Sequence, residues 1–146
     1  MTDVGFYILG GQTQQDQWQF ACRLAEKAAR QGNQLLIQLD NELNAKAFSD
    51  MLWSFRPDAF VPHALLNDPQ APENCQVSIG WNSHDGGHQH DVLINLSQNL
   101  PDFFGRFHRL IEIVVQQDDV LNYTRKHYKH LQDRGYPITH TDMRMR

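Results

Sequence analysis

A chain of 146 residues with 40% hydrophobic and 21% charged side chains has the size of one globular domain, and its apolar stretches are too short to cross a membrane. Residues 1–5 lack the positive flank and apolar core of a secretory signal, and Cys22 and Cys75 stand at no metal or redox spacing, so the chain reads as cytoplasmic with reduced thiols. Its formal net charge of −4 is unevenly spread: residues 1–122 hold seven Lys/Arg against fifteen Asp/Glu, whereas residues 123–146 hold six against two, with His127, His130 and His140 besides. A basic segment on an acidic body is a local site for an anionic partner, whether acidic peptide, phosphate or nucleic acid.

In chain order, Val4 to Leu9 is a short apolar run ended by Gly10 and Gly11, a strand and a turn. From about Gln14 to Arg30, Trp18, Cys22, Leu24, Ala25, Ala28 and Ala29 recur at helical spacing, and Gly32 supplies the stop. Cys22 then reads as a small buried hydrophobe. Leu35 to Leu39 is a second strand, after which Asn41 offers an N-cap to a helix through Ala45, Phe48, Met51 and Leu52. Strand, helix, strand, helix within about fifty residues is the pattern of a parallel sheet with crossover helices.

Pro57, Pro62, Pro69 and Pro72 interrupt residues 56–74, which read as a long connection. Val77 to Trp81 and Asp91 to Leu96 are two further strands around a polar loop, residues 82–90. A short helix after Pro101 carries Phe103, Phe104 and Phe107. Leu110 to Val115 is a β-branched strand, and a final helix runs from about Asp118 to Arg134, closed by Gly135. There is no internal repeat. The fold class is α/β: a three-layer domain over residues 1–146 with a mostly parallel sheet.

Gly10 and Gly11 stand where a nucleotide-binding domain places its phosphate loop, but the following Gln-Thr-Gln-Gln-Asp-Gln lacks both the P-loop lysine and the three-glycine fingerprint. The expectation is a nucleotide-binding-like frame without the site and without a cofactor. His84, His88 and His90, with Asp85 and Asp91, crowd one loop; with glycines among them and no cysteine partner, they read as solvated rather than as a metal centre. No Ser or Cys lies in a nucleophile elbow and no carboxylate pair is marked as an acid/base couple, so no catalytic residue is assigned.

Two segments do stand out. Residues 53–63, from Trp53 through Phe60, Val61, Pro62 and His63, concentrate large aromatics with Arg56 and two prolines. Core packing and an exposed interface are both open readings for them. In the last helix Arg125, Tyr128, Lys129 and Gln132 recur at i, i+3, i+4 and i+7 and share one stripe. The cations there complement the helix dipole. A tyrosine beside two cations also suits an aromatic residue together with its carboxylate, so a short acidic peptide with a hydrophobic end fits better than a duplex.

The order Phe6-Tyr7-Ile8-Leu9, Phe60-Val61-Pro62-His63, Asp91 to Leu96 and Arg125…Tyr128-Lys129…Gly135-Tyr136 resembles the chi subunit family of the bacterial DNA polymerase III holoenzyme, over almost the whole chain. The resemblance implies a non-catalytic adaptor that joins the psi subunit of the clamp loader to the acidic C-terminal tail of single-stranded-DNA-binding protein. It maps the tail site onto Val114, Arg125, Tyr128, Lys129, Gln132, Gly135 and Tyr136. It maps the psi contact onto Trp53, Phe60, Val61, Pro62 and His63, a surface that in the family also engages a repair-type helicase. Where the family pattern commonly has a further arginine one turn beyond the Tyr-Lys pair, this chain has Gln132, while Arg134 points about 200° away around the helix. The alternative is a direct single-stranded nucleic-acid binder using the same basic helix.

Overall fold

A computed structural model describes residues 1–55, 61–66, 68, 75–81 and 89–144. Its frame is one sheet of seven strands: β1 (Asp3–Ile8), β2 (Leu35–Leu39), β3 (His63–Leu65), β4 (Val77–Trp81), β5 (Val92–Asn95), β6 (Arg109–Val114) and β7 (Ile138–Asp142). Three helices, α1 (Gln14–Arg30), α2 (Glu42–Ser54) and α3 (Asp118–Asp133), connect them. The order across the sheet is β3-β4-β2-β5-β6-β1-β7, and every pairing is parallel.

Strand order dictates the layers. The β1–α1–β2 connection passes β6 and β5 in one direction, whereas β6–α3–β7 steps past β1 in the other. Right-handed crossovers that run in opposite directions lie on opposite faces. Side chains alternate along β2 accordingly: Leu35, Ile37 and Leu39 pack with Trp18, Cys22 and Ala25 of α1 and Phe48 and Leu52 of α2. Leu36 faces the other way, into the cluster of Leu93, Leu110, Phe104, Phe107 and Leu131 under α3. Both faces of the strands are therefore apolar, as a covered parallel sheet requires.

Local chemistry sets the helix ends. Thr13 caps α1 by accepting from the Asp16 amide, and Asn41 caps α2 by accepting from the Asn44 amide at 2.8 Å. α1 and α3 both close in the same way. Gly32 and Gly135 take φ of +88° and +80°, and the residue after each reaches back to the carbonyl five positions earlier: Asn33 to Ala28, Tyr136 to Leu131. This closure needs the left-handed conformation that glycine adopts without penalty.

Three features differ from the sequence reading. The segment after Pro101 is a 3-10 turn, Asp102–Arg106, with Phe107 just beyond it. Residues 56–74 are not all connection, because β3 pairs with β4 at the sheet edge. At the other edge, β7 pairs with β1 from Val4↔Ile138 to Ile8↔Asp142. Both are short edge strands, and Ile-Thr-His-Thr-Asp has no apolar run to announce it; the ladder of backbone bonds with β1 holds it.

Candidate peptide-binding groove at the carboxyl ends of β1, β6 and β7

β1 and β6 are neighbours, yet their following connections leave toward opposite faces. In open α/β sheets such a switch point is where ligands bind. Here the amides that would face a phosphate are already taken. The Asp16 carboxylate accepts from the Gln12 and Thr13 amides at 3.2 and 3.4 Å. Gln116 laces the two loops together, donating from its amide to Gly11 O at 2.7 Å and from Nε2 to Leu9 O at 3.0 Å. A phosphate in that position would meet a carboxylate instead of a lysine. These residues do not fit a nucleotide.

Beside this closed crevice, on the α3 face, lies an open groove of about 340 Å³. Phe6 and Ile8 of β1 and Val114 of β6 form an apolar floor, and Leu121, Thr124, Arg125 and Tyr128 of α3 form one wall. His140 of β7 and Arg144 beyond it complete the lining. The Tyr128 ring meets Phe6 edge-on at 5.6 Å and lies 5.2 Å from the His140 ring. Arg125 is exposed at the rim. Arg144 pairs with Asp142 through Nε at 3.0 Å to Oδ1 and Nη2 at 2.6 Å to Oδ2. Hydrogen bonds from Arg144 hold the Asp142 carboxyl down at about 2.

Of the residues mapped onto the tail site, Val114, Arg125 and Tyr128 line this groove. Lys129 and Gln132 are exposed further along the same helix, with Gln132 Nε2 3.5 Å from the Tyr128 hydroxyl. Gly135 is the turn that closes α3. Tyr136 does not line the groove; its ring packs on Phe104 at 5.2 Å. His140 and Arg144 are in the groove and were counted only as part of a basic segment, because their place depends on β7. Arg134 lies in a second depression with Lys126, His130 and Pro101, away from the first. His127 is not a surface cation at all but is buried against Glu112.

The mapped psi surface is partly in view. Trp53 is 46% exposed, and its ring lies 4.2 Å from that of His63. His63 is held between Ser49 Oγ at 3.0 Å and the Val61 carbonyl at 2.7 Å, and burial lowers its pKa. Pro62 is exposed. Val61 is 2% exposed and its side chain packs in the core. Phe60 lies outside the described residues, as do His84 and His88 of the histidine loop. His90 and Asp91 do come together with His108, each offering one donor atom within 4.8 Å of the others. The second Asp91 oxygen accepts from the Gln34 amide at 2.8 Å, and both imidazoles are exposed.

A family model, DNA polymerase III chi subunit, HolC, matches residues 1–139. The chain belongs to the DNA polymerase III chi subunit family. Curated relatives carry the name DNA polymerase III subunit chi: one from Pseudomonas aeruginosa is 37% identical over 139 residues, covering 94% of each chain. One from Haemophilus influenzae is 33% identical over 135 residues and 92% of each chain. One from Escherichia coli is 28% identical over 143 residues, covering 94% of this chain and 96% of its own. Chi-family membership carries an accessory role in DNA replication with the polymerase III holoenzyme. His140 and Arg144 lie just past the matched span. No helix among the described residues is long and apolar enough to cross a membrane.

Proposed function

We propose that this chain is a non-catalytic adaptor, holding the acidic C-terminal tail of single-stranded-DNA-binding protein in the α3 groove and the psi subunit of the clamp loader at the Trp53–His63 surface. One observation carries the first half: an apolar floor of Phe6, Ile8 and Val114 directly below the exposed cation Arg125 and the Tyr128 ring. A hydrophobic terminal side chain fills such a floor while its carboxylate and neighbouring acids stay at the rim, within reach of Arg125 and Lys129. The acidic remainder of the chain repels nucleic acid and leaves DNA to the partner.

The test is a calorimetric titration of an acidic peptide with a C-terminal aromatic residue into the full chain. Binding should weaken with added salt, and Lys129→Ala should weaken it by roughly two- to fivefold, the range of one exposed charge contact. Unchanged affinity in that variant removes Lys129 from the site. Tight binding of a single-stranded oligonucleotide with no binding of the peptide would replace this reading with direct nucleic-acid binding.

A further inference from the structure

We infer that Arg144, with His140 beside it, is a second anion-binding wall of the α3 groove, facing the same acidic peptide as Arg125. This inference rests on the tail-binding reading above and extends it to residues from the last strand of the sheet. Among the residues lining the groove, α3 supplies one permanent cation, Arg125, and Arg144 supplies the other. Gln132, further along the helix, is uncharged.

Arg144 is placed by the fold rather than left at the end of the chain. Met143 continues the β7 ladder by donating to Ile8 O at 2.8 Å. The Arg144 backbone then passes against Gly10, where an added Cβ would lie 3.8 Å from the Arg144 Cα. Asp142 orients the guanidinium through its Nε–H and one Nη2–H. A guanidinium has five donors in a fixed fork, so three are left to meet a ligand carboxylate. The same pairing partly offsets the positive charge of Arg144, so Asp142 both aims the cation and tempers it. His140 adds a ring beside Tyr128 and Phe6, 5.2 and 6.1 Å away. A hydrophobic terminal residue seated on the floor therefore has cations at two sides and aromatic rings along the third.

The experiment titrates a labelled acidic peptide with a C-terminal aromatic residue into the wild-type chain and into Arg144→Gln, Asp142→Asn and Arg125→Gln, at low and moderate salt. Arg144→Gln should weaken binding by about fivefold to tenfold and flatten its salt dependence, the effect of losing one charge-assisted contact. Asp142→Asn, which releases the guanidinium, should tighten it by roughly twofold to threefold. Melting temperatures of both should match wild type, because the pair is exposed. If Arg125→Gln weakens binding and Arg144→Gln does not, the inference is overturned while the groove reading stands. If Arg144→Gln and Asp142→Asn weaken binding equally, the pair is only a strut for β7, and the inference is again overturned. If the wild-type chain does not bind the peptide, both readings fall together.

Discussion

His127 of α3 and Glu112 of β6 form a buried, hydrogen-bonded ion pair beneath the helix that carries the groove. Glu112 is fully buried. Its other oxygen accepts from Asn95 Nδ2 at 2.8 Å, and His127 Nε2 faces the Gln98 carbonyl at 2.8 Å. A carboxylate at one ring nitrogen and a carbonyl at the other both favour the protonated imidazole. The pair fixes α3 against the sheet and thereby sets the groove wall.

Removing one partner leaves the other charge buried alone. His127→Ala is therefore expected to cost about 3–5 kcal/mol, read from urea unfolding at pH 6. The pH dependence follows from the same pair. Burial is the largest single influence and favours the neutral ring, but the hydrogen bond and charge of Glu112 together with the hydrogen bond to the Gln98 carbonyl outweigh it, so the folded pKa is raised above 6.5. A raised pKa means stability that is complete below pH 6.5 and declines as pH climbs through the folded value. In His127→Gln that decline should be absent.

Cys22 is fully buried on the inner face of α1, and desolvation pushes its thiol up to about 12. Cys75 is partly exposed. A thiol reagent at pH 8 should therefore modify one cysteine in the native chain and the second only on unfolding. Rapid modification of both in native buffer would contradict the packing of α1 on the sheet.

Trp53 is half exposed, and its described ring contact is with His63. Trp53→Ala should leave peptide binding intact and lower stability by about 1–3 kcal/mol, the scale of a ring contact plus a half-buried aromatic surface. On the proposed adaptor role it should abolish co-purification with psi. Retained psi association would move that contact elsewhere.

An added Cβ at Gly135 would meet nothing within 4 Å, but its φ is +80°. The cost of Gly135→Ala is thus conformational, about 1 kcal/mol, or a melting-temperature drop of roughly 3 °C. Calorimetric melting of that variant checks whether the α3 closure is formed in solution.

Helices and inner strands were legible from the chain because their causes are local. Asn41 caps α2, Gly32 and Gly135 end α1 and α3, and the apolar runs of β2 and β4 match strands buried on both faces. Edge strands were not legible. β7 is polar and β3 is three residues long, so neither carries the pattern that burial imposes on an inner strand. His127 and His130 show the same limit on a helix. Both sit in one basic stretch, only about 60° apart around the helix, so the spacing does not separate them; only the position of β6 decides that the first meets Glu112 while the second stays exposed.

The sequence by itself determined the α/β frame, the charge contrast between body and C-terminal segment, and the stripe carrying Arg125 and Tyr128. Tertiary structure alone decided that Phe6, His140 and Arg144 join Val114 and Arg125 in one groove, that the Tyr136 ring packs on Phe104 and that the Val61 side chain lies in the core. Helix stripes and caps depend on residues within about four positions of each other. Adjacency of parallel strands does not, because a parallel pair always needs a crossover between its members. Phe6 and His140, opposed in the β1–β7 ladder, belong to opposite ends of the chain, and only the strand order brings them together.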